Sequence, residues 1–299
     1  MTESVAVTEL VPSTGHRVVA PGRRSRGTEI VLAVIAAFIL FVAVIGPLLP
    51  LPNPNKQVLT NRLLPPIGWG GAQWKHPLGT DQHGRDMLSR LVAGTRLTVV
   101  IAIVSVLLGA VVGSMLGVVA GFRRRATDAV ISRLTDAQLA LPFILLAIAI
   151  VTSRGRSIST IILVLAIVGW AQYVRVVRAE TLIVRERPFI KSLRIGGMSD
   201  TRIILRHVVP NVSGTVLTLS TLEVGTMILA ESAMSFLGLG VVTPDISWGA
   251  LLATGRETMR DAWWPVALPG LAIVLMVLYV NIAGDVLRAR YDVRKRMHR

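Results

Sequence analysis

The chain alternates long apolar runs with shorter polar segments. Six of the apolar runs approach the roughly 20 residues that cross the hydrocarbon core of a bilayer. The six runs are 30–49, 97–121, 134–152, 158–178, 212–239 and 264–287. Backbone polar groups in hydrocarbon must pair within their own segment, so we expect helices rather than strands. The pattern therefore predicts an all-α integral membrane protein with six transmembrane helices.

Composition and charge agree with this fold class. Of the 299 residues, 52% are hydrophobic and only 16% are charged, and the charges lie mostly between the apolar runs. The net charge of +15 raises the question of a nucleic-acid partner. Because the basic residues flank the runs and do not form one soluble face, we expect none. The chain contains no cysteine, which excludes disulfides and thiol chemistry.

The basic residues concentrate in alternate polar segments. The basic segments are 1–29, 122–133, 179–211 and 288–299, whereas 50–96, 153–157 and 240–263 hold fewer basic residues for their length. Because basic segments remain in the cytoplasm, we predict that both termini are cytoplasmic tails, residues 1–29 and 288–299. The run 30–49 is too long for a signal-peptide core and lacks a cleavage site, so we predict an uncleaved first span.

Residues 50–96 form the longest predicted external segment. Thr80 or Asp81 could cap a helix that starts near Gln82, and we predict that this interfacial helix leads into the second span. The polar residues expected away from its apolar face are Arg85, Asp86, Ser89, Arg90 and Arg96. Four side chains could ligate a metal or could cap and pair locally: His76, Asp81, His83 and Asp86. Their spacing fits no tight zinc pattern, so we expect no metal site.

Residues 188–211 form a basic island between the fourth and fifth apolar runs. Pro188 suits the first turn of a helix, and Gly196-Gly197 should end that helix in a turn with positive φ. Ser199 can cap a second helix, which Pro210 should close. The segment is either an amphipathic loop at the lipid surface or a docking element for a groove in a partner protein. The chain has no Gly-x4-Gly-Lys-Ser/Thr loop, the usual loop that binds the phosphates of ATP. If ATP drives this protein, a separate partner would therefore have to bind it.

This island resembles the coupling loop of ABC importer permeases. Their pattern EAA-x3-G-x9-I-x-LP places its glycine at Gly197, although Lys191-Ser192-Leu193 replaces Glu-Ala-Ala. His207, Pro210 and Asn211 match the end of the peptide-importer version. Further blocks are similar to the C-type permease subunit of dipeptide, oligopeptide and nickel importers. These blocks are HPLGTDQHGRDMLSR at 76–90, RLTDAQLALP at 133–142, ESAMSFLGLG at 231–240, SWG at 247–249, WWPVALPG at 263–270 and NIAGDVLR at 281–288.

The resemblance implies a type I ABC importer permease fold with a cytoplasmic coupling helix, in a prokaryotic cell membrane. It implies a non-catalytic subunit that moves di- or oligopeptides inward by alternating access, with residues 97–287 as the core permease domain. The implied partners are a homologous second permease, ABC ATPase subunits that bind ATP and Mg, an extracytoplasmic substrate-binding protein and membrane lipid. This chain itself would hold no cofactor. Nickel, opine or haem importers of the same family are the alternative, and an ion-coupled secondary transporter is a weaker one, since neither broken spans nor paired repeats are visible.

Two groups of residues are candidates for function. The coupling residues that the resemblance implies are Phe189, Ile190, Lys191, Ser192, Leu193, Arg194, Gly196, Gly197, Ser199 and Asp200. The second group, Glu223, Glu231 and Asn281, is assigned to the translocation path or to the interface with a second permease. An unpaired carboxylate in lipid costs roughly 2.5–3.5 kcal/mol, so both glutamates should face a partner or the path. For Glu231, a structural hydrogen-bond anchor near the external interface is the alternative.

Overall fold

The structure, a computed structural model, describes residues 26–46, 49–123 and 125–297. The predicted N-terminal tail up to residue 25 lies outside these residues. The described part is helical and contains no β-strand. Its α-helices are α1 (Arg26–Ile45), α2 (Met87–Arg123), α3 (Ala126–Ala140), α4 (Phe143–Arg154), α5 (Ile158–Arg185), α6 (Pro188–Ile195), α7 (Asp200–Ile203), α8 (Val209–Phe236), α9 (Trp248–Gly255) and α10 (Trp264–Met297). The prediction of an all-α membrane protein is confirmed.

Four helical stretches of the described chain are long and apolar enough to cross a membrane by themselves. They are α2, α5, the continuous stretch Asp200–Phe236, and Trp264–Ala289 within α10. The pair α3 and α4 reaches this standard only when the two are taken together. The apolar part of α1, Ile30–Ile45, is shorter. Every predicted span thus coincides with a helix or a helix pair, and the count of six crossings stays a prediction.

The third predicted span, 134–152, is not one straight helix. It is divided between α3 and α4, which meet at an angle of 92°. Leu141 between them is extended, with φ −82° and ψ 127°. The cause is Pro142, whose ring disfavours the helical conformation for the residue before it and which has no N–H to donate. The expectation of a single straight helix here was wrong.

The fifth span begins much earlier than predicted. A π-helical stretch, Ile204–Val208, joins α7 to α8, so the helix runs from Asp200 to Phe236 without a break. We expected Pro210 to close the second loop helix, but it lies in the first turn of α8. The wider π turn accommodates the missing donor and the proline ring. The second helix of the basic island is therefore rigidly continuous with a membrane span.

The helices α2 and α5 form the central pair of the bundle. Four buried glycines at every fourth position of α2 face α5: Gly109, Gly113, Gly117 and Gly121. A Cβ on Gly117 would lie 2.9 Å from Val177 Cβ, and one on Gly121 would lie 2.7 Å from Thr181 Cβ. Lipid offers no hydrophobic gain for burying apolar side chains between helices, so small residues that allow close backbone packing hold such pairs together.

Candidate functional site

The basic island adopts the predicted helix–turn–helix conformation. Pro188 occupies the first turn of α6, and Gly197 has φ +80°. The Met198 N–H donates to the Leu193 carbonyl at 3.1 Å, which closes the end of α6 through that left-handed residue. Ser199 takes the cap position of α7 without a side-chain hydrogen bond to the helix. The turn prediction for Gly197 is therefore confirmed, because only glycine adopts this φ without strain.

Part of the apolar face of this island packs on the chain's own spans. Ile190 and Ile203 are 1% and 0% exposed. They join a cluster with five valines and a phenylalanine near the end of α2: Val118, Phe122, Val177, Val184, Val208 and Val212. Leu193 packs against the same cluster. We expected this face to reach a partner groove, but the Ile190 side chain supports the island from inside and is not available to a partner.

The outward surface of the island is apolar and basic. Phe189 is 39% exposed and Ile195 is 88% exposed. The other predicted coupling residues with exposed positions are Lys191, Ser192, Arg194, Gly196, Gly197, Ser199 and Asp200. The sequence reasoning missed Ile195, although an isoleucine placed directly before a Gly-Gly turn was the available signal. We define Phe189 and Ile195, with the polar residues between them, as the outward face of α6.

Two arginines connect the island to the end of α2. The guanidinium groups of Arg185 and Arg194 lie 5.7 and 5.3 Å from the centroid of the Phe122 ring. Arg185 also donates a hydrogen bond to the Phe122 carbonyl oxygen. Arg194 reaches Asp200 at 3.3 Å, which joins α6 to α7. Side-chain contacts therefore connect α6 to α2 and α5, and the ion pair with Asp200 connects it to the helix that continues into α8.

Glu231 lies in the core and connects two helices. Its side chain is buried, and its Oε1 accepts hydrogen bonds from Ser235 at 2.8 Å and Ser247 at 2.7 Å. Ser247 also accepts from the Ala250 N–H at the start of α9. Among the described residues, Glu231 Oε2 has no hydrogen-bond partner. This geometry fits the structural anchor that we set beside the path assignment, since the carboxylate holds the end of α8 to the start of α9.

Glu223 occupies a different environment on the same helix. It is half-buried and lies one turn from Ser220, which accepts a 3.0 Å hydrogen bond from the Tyr173 hydroxyl. One and a half turns earlier, Thr215 donates to Glu180 at 2.9 Å. A polar ladder thus runs between α5 and α8, and the sequence signal for it was a set of polar residues at helical spacing inside apolar runs. The structure does not bring Glu223 and Glu231 to one site.

Asn281 faces α8 from α10. A Cβ added to Gly225 would lie 3.5 Å from Asn281 Oδ1, so the amide lies against a glycine of the neighbouring helix. Asn281 is otherwise exposed. Its position on an open side of the bundle is compatible with the predicted path or permease interface.

The polar residues of the external segment form a buried network. Asp86 accepts from the Ser89 N–H at 2.7 Å and contacts His76 Nδ1 at 2.9 Å. It therefore caps α2, which starts at Met87 and not near Gln82 as predicted. The residues 81–86 form a tight turn instead of helix, because Asp81 accepts from two backbone N–H groups of that turn.

The orientation expected for the polar residues of this segment was wrong for four of the five, and only Arg96 is exposed. Arg85, Asp86, Ser89 and Arg90 are all buried. Arg85 Nε donates to Asp81 Oδ2 at 2.6 Å, and Arg90 Nη1 donates to the Pro54 carbonyl at 3.0 Å. The local pairing that we set against a metal site is what the structure shows. Within the described ranges, no group of three or more His, Cys, Asp or Glu side chains could hold a metal ion.

Comparison with known proteins agrees with this architecture. Residues 113–297 match the family described as binding-protein-dependent transport system inner membrane component. The chain is 39% identical over 254 residues to the di/tripeptide transport system permease protein DppC of Pseudomonas aeruginosa (strain UCBPP-PA14). The aligned residues cover 85% of this chain and 84% of that protein. It is 37% identical over 222 residues to the glutathione transport system permease protein GsiD of Pectobacterium atrosepticum, and the aligned residues cover 74% of each protein.

Solved structures share the fold. An inward-facing structure of the MetNI methionine ABC transporter superposes with a TM-score of 0.56 and 19% identity, over 68% of this chain and 97% of that chain. At this identity the similarity shows the fold alone. The family match and the relatives nevertheless cover most of the chain. The chain therefore belongs to the binding-protein-dependent transport system inner membrane component family, the permease subunits of ABC importers.

Proposed function

We propose that this permease moves di- or oligopeptides into a prokaryotic cell as one of two homologous membrane subunits. Separate ATPase subunits bind ATP and Mg, and an extracytoplasmic binding protein delivers the substrate. The similarity to di/tripeptide, dipeptide and glutathione permeases supports the substrate class. This chain performs no covalent chemistry and contributes the path and the mechanical coupling.

The observation that carries this proposal is the outward face of α6. An exposed isoleucine and phenylalanine among basic residues suit a hydrophobic groove with a polar rim on a partner. The element is held to α2 and α5 by buried contacts, and its ion pair with Asp200 connects it to α7, which is continuous with α8. When the ATPases close on ATP, movement of α6 therefore shifts three spans together between inward and outward states.

The test compares an apolar and a charged position on the outward face of α6. We expect Ile195→Asp to leave membrane insertion intact and to reduce ATPase association about tenfold, which corresponds to about 1.4 kcal/mol. Lys191→Ala should reduce association less than Ile195→Asp, because the exposed pair of Lys191 with Glu186 at 3.4 Å contributes little. The measurement is ATPase pull-down together with substrate-stimulated ATP hydrolysis. Unchanged association and stimulation for Ile195→Asp would show that another surface binds the ATPase.

The glycine turn offers a second pair of variants. Gly197 has φ +80° with no atom within 4 Å of an added Cβ, whereas Gly196 has φ −71°. Valine at 197 therefore adds backbone strain of about 1–3 kcal/mol without a side-chain clash. We expect Gly197→Val to misdirect α6 and to lose ATPase association, and Gly196→Ala to retain it. Equal association for both variants would contradict the coupling role of the turn.

Substrate and orientation need separate measurements. In proteoliposomes that contain the complete transporter, we expect ATP-dependent uptake of labelled dipeptide in excess of nickel or haem uptake. Uptake of nickel or haem alone would place the chain with those importers, and peptide uptake without ATP would indicate an ion-coupled carrier. Reporter fusions at positions 10, 124, 200 and 295 should report a cytoplasmic location, and those at 70 and 255 an external one. An external signal at 124 or 200 would contradict the proposed orientation.

A further inference from the structure

Four of the chain's six tryptophans lie in the segment before α2 or at the start of α10: Trp69, Trp74, Trp263 and Trp264. Trp264 faces inward and is 7% exposed. Its Nε1 donates to the Thr80 carbonyl at 2.9 Å, and its ring packs with Met87. These contacts attach the segment to the first turn of α10. They therefore fix the position of the segment along the axis of the spans.

The adjacent Trp263 faces outward and ends an exposed apolar stripe. It is 44% exposed, and Leu271, Val274 and Leu278 along the same side of α10 are 55%, 60% and 53% exposed. Because this helix is apolar enough to cross a membrane, the stripe forms part of the surface that faces hydrocarbon. Trp263 therefore marks the level at which that surface meets water.

Trp69 extends this boundary onto the loop. Its ring centroid lies 5.8 Å from that of Trp263, with an interplanar angle of 56°. Five residues later Trp74 is 87% exposed, beside the exposed Lys75. Gly68 and Gly71, with φ +101° and +88°, turn the backbone so that the loop carries both indoles on its surface.

The chemistry of this patch fits a lipid headgroup region. An indole ring gains from apolar contact while its N–H needs a polar partner, and tryptophan is enriched where the two environments meet. A neighbouring lysine can extend its ammonium group to lipid phosphate. We propose that residues 67–75 form an interfacial anchor in which Trp69 and Trp74 rest among phospholipid headgroups, on the side of the membrane where α10 begins.

The anchor has a structural consequence for the buried network of the same segment. The turn around Asp81 is attached to the spans by Trp264 and to the bilayer surface by the indoles of residues 69 and 74. The segment is then held at two points, and its outward surface keeps a fixed orientation. This inference needs neither the peptide substrate nor the proposed orientation of the termini.

The test uses tryptophan emission of the complete transporter in nanodiscs. One set contains phospholipid with bromine on the acyl chains near the headgroup, and the other contains the same lipid without bromine. The difference in emission between the wild type and Trp69→Ser/Trp74→Ser isolates the two indoles from all other tryptophans of the complex. We expect this difference signal to fall at least twofold in the brominated bilayer. The matched control is Trp248→Phe, because Trp248 is 6% exposed and lies in the core, so its difference signal should not fall.

Two results would overturn the proposal. Equal difference signals in both bilayers would place the indoles away from lipid. Quenching by aqueous acrylamide that disappears when the substrate-binding protein is added would assign the patch to that protein instead. If the double variant does not assemble, Trp74→Ser alone carries the same comparison, because the 87% exposed side chain contributes little to folding.

Discussion

Alanine at Gly113 should destabilise the bundle, whereas alanine at Gly109 should not. A Cβ at position 113 would collide with the Trp170 carbonyl oxygen and lie 2.7 Å from Tyr173 Cβ. At position 109 the nearest atoms, the Ala166 carbonyl oxygen and the Trp170 nitrogen, lie 3.4 Å away. Both glycines are buried on the same face of α2, so the pair isolates the effect of a close backbone approach.

The magnitude follows from the contact distances. Non-bonded carbon atoms are most stable about 3.5–4.0 Å apart, so α2 and α5 would have to separate by about 1 Å near position 113. A gap of that size removes about a quarter to a half of the dispersion energy of each contact that it opens. Overpacking of this kind costs about 1–3 kcal/mol. Alanine also favours a helix over glycine by about 1 kcal/mol, but that gain is common to both positions and cancels in the comparison.

The assay is thermal unfolding of the detergent-solubilised transporter, measured by loss of the monodisperse complex. For each kcal/mol, the midpoint of a chain of this size should change by about 2–4 °C. We therefore expect Gly113→Ala to unfold several degrees below Gly109→Ala. Gly121→Ala should follow Gly113→Ala, because its Cβ would lie 2.7 Å from Thr181 Cβ. Equal midpoints for positions 109 and 113 would refute close α2–α5 packing as the origin of the effect.

Three further predictions concern the carboxylates. Asp81→Ala should lower the free energy of unfolding by about 3–5 kcal/mol, measured by heat or denaturant, because it leaves buried arginines without their carboxylate partner. Asp136→Ala should lower it by less than about 1 kcal/mol, because Asp136 and its partner Arg175 are 66% and 55% exposed. Similar losses for both would contradict the buried network. Glu231→Ala should lower unfolding stability by about 1–3 kcal/mol, because two serine hydroxyls lose their acceptor, and Glu231→Gln should lose less. If Ala and Gln unfold alike, the anchor role is wrong. Glu223→Leu should assemble but reduce uptake more than Glu223→Gln, and full uptake by the leucine variant would show that the carboxylate is dispensable.

Some features depended on local rules and were visible in the sequence. The turn at Gly197 and the helix start at Pro188 depend on the backbone preferences of single residues, and both appear where predicted. The bend at Pro142 depends on the same kind of rule. It was missed because the apolar pattern continues through the proline, and apolar periodicity was given more weight than the geometry that proline imposes.

Hydrophobicity, charge distribution and turn residues are properties of the chain read in order, and they indicated the fold class, the family and the approximate positions of the apolar helices. Which side of each helix is buried depended on how the helices pack against one another. This packing turned Ile190 inward and left Ile195 exposed, it made Glu231 an anchor between α8 and α9, and it paired Trp69 with Trp263. Each of these outcomes depends on contacts between residues far apart in the chain, and a one-dimensional pattern holds no information on which helix packs against which.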